Sequence, residues 1–284
     1  MNSRKIRTIS VLTAMIFLFG LILSGCSAKN STAENTAAQA ANKIKITVAT
    51  GGQPKPFSYV DANNQITGYD IDVVKAIFQQ LPQYDVSFEK TEFTSIFAGL
   101  DSDRYQIGAN NFAMNEQRKQ KYIYTNPIFK NQFVIAVAAD RTDINSFKDL
   151  QGKTTEVQAG VNYTTALENY NKDHSDKSVK LNYSDADMVT VLQHVENGKY
   201  DFQLIDGPML NNYIKEFGLK LKSIPLNDDD TKLIGSPYSY LLLSKGANGE
   251  QLEKDINATL DKLRKDGTIS QISQKYFSAD YSPK

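Results

Sequence analysis

A single cysteine and two histidines among 284 residues leave this chain little with which to build a covalent scaffold or a metal centre. One cysteine excludes an intramolecular disulfide and any multi-cysteine metal site. His174 lies in a Lys/Asp-rich loop, and His194 falls inside a helical stretch without an evident partner, so neither marks a catalytic or metal site. Charge of one sign is lacking too. The 32 Lys and Arg balance 32 Asp and Glu, which removes the basic excess that phosphate neutralisation needs and argues against nucleic acid as a partner. No cofactor motif is present, and no cofactor or metal is expected.

With 40% hydrophobic and 23% charged residues, the chain has the make-up of a globular protein with room for two compact domains. The first residues differ in kind. Arg4, Lys5 and Arg7 precede an apolar stretch from Ile9 to Leu23, broken only by Ser10, Thr13 and Gly20. That is a signal-peptide pattern, shorter than the ~20 apolar residues that comfortably span a bilayer. It ends in Leu23-Ser24-Gly25-Cys26, which resembles a lipobox. The resemblance implies cleavage after residue 25 and a lipid on Cys26. Cleavage takes three basic residues and no acid from 32 of each, leaving 29 against 32, so attraction to anionic lipid is not the anchor. Residues 26–43, rich in Ser, Thr, Ala and Asn, read as the lipidated cysteine and a flexible tether.

Ile44, Ile46 and Val48 alternate with Lys45 and Thr47 as in a strand, which Gly51-Gly52 ends. Ile71, Val74 and Phe78 recur at helical spacing, with Asp70 placed as N-cap and Pro82 closing the helix. Val86 and Phe88 mark a strand. Thr94 and Ser95 offer caps for a helix carrying Ile96 and Leu100, and Tyr105 to Ala109 reads as another strand. The alternation predicts parallel βαβ units. Phe133 to Ala139 is a continuous apolar run, as in a strand buried on both faces. Asp185 or Asp187 caps a helix inward-facing at Met188, Leu192 and Val195, followed by a strand at Phe202 to Ile205 and a terminating turn at Asp206-Gly207-Pro208. Tyr238 to Leu243 is strand-like, and Leu252, Ile256, Leu260 and Leu263 define an amphipathic helix stopped at Gly267.

Two charged residues sit where open α/β sheets bind ligands, beyond the carboxyl ends of strands. Arg118 follows one strand, although its chemistry alone reads more readily as a solvated member of the run Arg118-Lys119-Gln120-Lys121. Asp206 ends an apolar strand, and also fits a turn residue before Gly207-Pro208.

Pro56-Phe57-Ser58-Tyr59, Gly68-Tyr69-Asp70-Ile71-Asp72 and Phe93 before a helix resemble the family of polar amino acid binding proteins of bacterial ABC transporters, the family 3 extracellular solute-binding proteins. Gln117-Arg118-Lys119, Val157-Gln158-Ala159-Gly160, Lys265-Asp266-Gly267-Thr268 and Tyr276-Phe277 continue the resemblance in order from about Ile44 to Phe277.

That resemblance implies an α/β, two-lobed, periplasmic-binding-protein-like fold (type II) with two crossover hinge strands: lobe 1 from 44–136 plus 239–284, lobe 2 from 137–238. It implies that Arg118 holds a ligand α-carboxylate, helped by backbone N–H groups of Asn111, Ala113 and Asn162, while Asp206 pairs with the α-ammonium. A planar guanidinium suits a carboxylate bidentately. Phe93 and Pro54 would face the ligand from lobe 1, and Gln158, Gly160, Val161 and Tyr163 from lobe 2. The pattern departs from the family where Ala113 and Asn115 replace hydroxyls. Asn110, Asn111 and Gln158 leave a polar pocket without an obvious acidic group, which favours cystine or another neutral polar amino acid. The implied protein is no enzyme but a monomer, exported, lipid-anchored on the extracytoplasmic face of the cell membrane, that passes an amino acid to an ABC permease and its ATPase. A secreted prephenate-type dehydratase shares the fold and stands as the alternative.

Overall fold

The structure is a computed structural model that describes residues 43–284. The signal-peptide, Cys26 and tether assignments lie outside the described residues. Strand β1 (Ile44–Thr50) opens the fold, followed by a hairpin of β2 (Tyr59–Val60) and β3 (Ile66–Thr67), helix α1 (Tyr69–Gln79), β4 (Tyr84–Lys90), α2 (Phe93–Asp101), β5 (Ile107–Ala113), α3 (Glu116–Lys121), β6 (Ile123–Tyr124) and β7 (Phe129–Lys130). The chain then leaves for β8 (Phe133–Ala138), β9 (Thr154–Val157), α4 (Asn162–Asp173), β10 (Lys180–Tyr183), α5 (Met188–Glu196), β11 (Gln203–Asp206), α6 (Gly207–Phe217), β12 (Leu221–Pro225) and α7 (Asp228–Ile234). It returns through β13 (Tyr238–Leu243), α8 (Gly249–Lys265) and α9 (Thr268–Phe277).

The first sheet runs β4-β1-β5-β13-β6, with β7 also on β13. β1 is parallel to β4 and β5, as the βαβ reading predicts, whereas returning β13 is antiparallel to β5. The second lobe carries β11-β8-β12 and, separately, β10-β9. β8 is central and alternates its contacts: Val134 and Ala136 join the core containing Leu192 and Leu210, while Phe133, Ile135 and Val137 join the core containing Val157 and Leu167. Burial on both faces explains its unbroken apolar run.

β8 pairs over its full length with β11 and β12, so a boundary at residue 136 would cut a strand. The change of sheet falls earlier, between Lys130, which pairs with Tyr238, and Phe133. Here the two crossing segments touch: the Asn131 N–H donates to Pro237 O (2.8 Å) and the Ile128 N–H to Ser239 O (2.8 Å).

Three local expectations need correction. Asp70 is not a cap: Gly68, with φ 126°, is the N-cap of α1. A Cβ there would lie 2.4 Å from Phe57 O, so only glycine fits. Glu92, not Thr94 or Ser95, is the N-cap residue of α2, which begins at Phe93. Gly207-Pro208 does not end a strand in a turn but starts α6 directly, with Asp206 as its N-cap residue and proline in the first turn, where a missing N–H costs nothing. Asp187 does cap α5, accepting from the Thr190 N–H.

Candidate functional site

A cavity between the lobes gathers β-strand ends and loop residues from both. From lobe 1 it is lined by Pro54, Phe93, Asn111, Ala113 and Arg118. From lobe 2 come Gln158, Val161, Asn162 and Tyr163. Among the residues expected at the site, Gly160 and Asp206 do not line it but touch residues that do.

Arg118 is 7% exposed, so it is not a solvated member of its charge run. Its Nη1 donates to Ala113 O (3.0 Å) and its Nη2 to Gly160 O (2.8 Å). The guanidinium also lies over the rings of Phe97 and Phe112. Burial lowers its pKa. Among the described residues no carboxylate forms a salt bridge with it. A desolvated cation with only carbonyl and aromatic neighbours favours an incoming anion.

Asp206 is fully buried. Its Oδ2 accepts from the Gln132 N–H (2.9 Å), and its Oδ1 has no hydrogen-bond partner among the described residues. Burial pushes its pKa up to about 8, against the opposing hydrogen bonds from the Gln132 and Met209 backbone. Asp70 in lobe 1 is its counterpart: fully buried, Oδ1 unpaired, and pushed by burial up to about 7.

The Asn111 N–H donates to Asp70 Oδ2 (2.6 Å) and is therefore not aimed at a ligand. Asn111, held at φ 48°, reaches the cavity through its other atoms. Ala113 offers its carbonyl to Arg118. Asn162 is the first residue of α4, whose N–H belongs to the unpaired donors of a helix start. Asn131 links these parts. With its amide oxygen facing the Ser239 N–H (3.2 Å), its nitrogen donates to Asn111 Oδ1 (3.2 Å) and Asp206 Oδ2 (3.2 Å).

The loop carrying Gln158 to Val161 is pinned by the Thr164 hydroxyl, which donates to Gln158 O (2.7 Å). Gly160, at φ 77°, allows the turn, and a Cβ there would come within 3.9 Å of Phe93 Cε1. Phe93 stacks on Phe112 at 5.9 Å and sits edge-on to Phe97. Tyr163 packs edge-on to Phe133, and burial followed by the nearby Asp206 charge raises its pKa. The lobes also meet at the rim, where Lys55 pairs with Glu216 and the Tyr213 hydroxyl donates to Gln53 O (3.3 Å).

Sequence reasoning missed three acids on the cavity wall: Glu92, Glu156 and Asp185. The pocket is thus not free of acidic groups. Nor is His194 without a partner, because its Nδ1 lies 2.6 Å from Glu156 Oε2. A charged residue between Thr155 and Val157 in a short strand was the available signal, since an acid in a buried strand needs a function or a partner.

A model of the family described as bacterial extracellular solute-binding proteins, family 3, matches residues 46–279. The chain belongs to that family. It is similar to the L-cystine-binding protein TcyJ of Bacillus subtilis (strain 168), 28% identical over 99% of this chain and 98% of that one. It is also similar to the L-cystine-binding protein TcyA of the same organism, 30% identical over 84% and 82%. Among solved structures it resembles one reported as the molecular and structural basis of glutathione import in Gram-positive bacteria via GshT and the cystine ABC importer TcyBC of Streptococcus mutans. That likeness has a TM-score of 0.79 and 40% identity, and covers 85% of this chain and 98% of the other. The two-lobed type II fold is shared. These relatives are solute-binding proteins, and they lend no support to the dehydratase alternative.

Proposed function

We propose that this family member is the extracytoplasmic capture component of an ABC importer for an α-amino acid with a polar, sulfur-containing extension, with cystine as the favoured ligand. The observation that carries this reading is a pair of buried groups with unmet partners, Arg118 on the cavity wall and Asp206 behind it, against the wall residues Asn131 and Met209. Among the described residues Arg118 lacks an anion and Asp206 Oδ1 lacks a donor, and an α-carboxylate and an α-ammonium on one ligand would supply both. Phe93, Pro54, Val161 and Tyr163 bound the remainder of the ligand, with Asn111, Ala113, Gln158, Gly160 and Asn162 around its polar groups. The names of the cystine-binding relatives support the choice of ligand.

Glutathione is a second reading, favoured by the 40% identical structural relative, because a γ-glutamyl end carries the same α-ammonium and α-carboxylate. Calorimetric titration of protein freed of carried ligand, against cystine, glutathione, cysteine, glutamine and arginine, separates these. Micromolar or tighter binding of cystine supports the first reading, and preference for glutathione the second. Binding of none of them by folded protein rejects both.

The protein acts as a monomer, held outside the membrane by lipid on Cys26 and docking on a permease and its ATPase. The lipobox-like Leu23-Ser24-Gly25-Cys26 supports this anchoring. Metabolic labelling with palmitate checks it: label lost in Cys26→Ser, with release of protein from membranes, is the expected result.

A further inference from the structure

The strands of the second lobe form two separate sheets. β9 pairs with β10 and β11 with β8, and among the described residues no ladder joins β9 to β11. The two strands are tied at one end, where the Asp201 N–H donates to Thr154 O (2.9 Å) and the Thr154 N–H to Asp201 Oδ2 (2.7 Å). One residue further on, only side chains bridge, from the Thr155 hydroxyl to Gln203 Oε1 (3.1 Å). The cavity reaches both sides of this split, taking Thr155 and Glu156 from one strand and Gln203 and Leu204 from the other.

Among the described residues Glu156 is the one buried acid on that wall, 5% exposed, whereas Glu92 and Asp185 are exposed. Its Oε2 is held by His194 of α5, and among the described residues no donor is assigned to Oε1. A carboxylate so desolvated, fixed by one oxygen and open at the other, selects a hydrogen-bonding cation. Arg118, the cation on the cavity wall among the described residues, donates to the Gly160 carbonyl in the loop that follows β9. Gly160 lies four positions after Glu156, so at most about 14 Å of extended chain separates them, within the span of a ligand two amino acids long.

We infer that the cavity has a distal subsite, formed by Glu156 positioned by His194 in the split between β9 and β11, that takes the second ammonium group of a two-ended ligand. This rests on the proposed capture of an α-amino acid at Arg118 and Asp206 and names what lies at the ligand's far end. Cystine carries such a group. The far end of glutathione is a carboxylate, which Glu156 repels.

The test is calorimetry on the full chain with L-cystine and L-cystathionine, which have two amino acid ends, and with S-methyl-L-cysteine and glutathione, which lack the far ammonium. In wild-type protein the two-ended ligands bind roughly ten- to a hundredfold more tightly than S-methylcysteine, the range for a hydrogen bond to a charged group. Glu156→Gln abolishes that advantage, lowering affinity for the two-ended ligands at least about tenfold more than affinity for S-methylcysteine. Equal wild-type affinity for one-ended and two-ended ligands overturns the subsite, as does an equal loss for both in Glu156→Gln. Should that variant not fold, the wild-type series alone decides. Wild-type protein that binds no α-amino acid overturns the capture reading and the subsite together, a result distinct from binding without discrimination.

Discussion

Arg118 of the first lobe donates to the backbone carbonyl of Gly160 in the second, 2.8 Å away, so the residue proposed to hold the ligand carboxylate also bridges the cleft. Arg118→Ala removes both functions. Loss of one member of a buried charge pair costs about 3–5 kcal/mol, so affinity for the bound amino acid should fall by at least about a hundredfold. Arg118→Lys should rescue little, because an ammonium cannot form the two parallel bonds of a guanidinium. Calorimetric titration of both variants checks this, and near wild-type affinity in either removes Arg118 from the site.

Asp206 makes stability depend on pH in the less common direction. Its pKa of about 8 in the fold lies above the ordinary value of roughly 3.9, so the folded form keeps a proton that the unfolded chain gives up between these limits. Stability from this group is full below about pH 4 and is lost as pH rises towards 8. Asp70, pushed to about 7, acts in the same sense. Ligand-free protein should therefore melt at a higher temperature near about pH 5 than near about pH 8, and Asp206→Asn should narrow the gap.

An ammonium brought against Asp206 reverses its preference and favours the carboxylate. Ligand binding near neutral pH should then release protons. Titrations in buffers of different ionisation heat read this directly: apparent binding enthalpies that vary with buffer are expected, and buffer-independent values would show that Asp206 stays protonated or stays apart from the ligand.

Gly160→Ala tests the loop between the lobes. The backbone at φ 77° is strained for any side chain, and the new Cβ faces Phe93. The expected cost is about 1–3 kcal/mol, felt in ligand affinity more than in the melting temperature because the loop belongs to the cleft and not to the core. Parallel melting curves and titrations distinguish the two.

Lys55 and Glu216 make the opposite prediction. Their pair bridges the rim but is about one-third exposed on each side. Lys55→Ala should change stability by less than about 1 kcal/mol and affinity by no more than a few-fold. A larger loss of affinity with an unchanged melting temperature would make this pair a latch.

Legibility in the sequence followed the length scale of each signal. The strand at Ile44, the helix through Leu252 to Leu263 and the buried run from Phe133 announce themselves because periodicity reports burial directly. Boundaries were harder. The change of sheet before Phe133 is invisible to periodicity, since an apolar run reads alike in either sheet. The chemistry of the cavity was the least accessible part. Arg118 and Asp206 stand out through resemblance and strand-end position, but Glu156 and His194 are 38 residues apart and become partners only once the chain has folded. Asp70 looks like an ordinary cap until Asn111, 41 residues on, turns its N–H towards it.

Asn131 gives this hinge an unusual economy. One amide reaches a first-lobe side chain, the second-lobe carboxylate and the opposite crossing strand at once. A rotation of the lobes about these strands would strain these bonds, and a change of charge on Asp206 would act on the one it accepts. The fulcrum is therefore also the gauge: occupancy of the site and the angle between the lobes are registered by the same side chain. A substitution at position 131 should uncouple them, leaving a protein that binds and a protein that closes as separately adjustable properties.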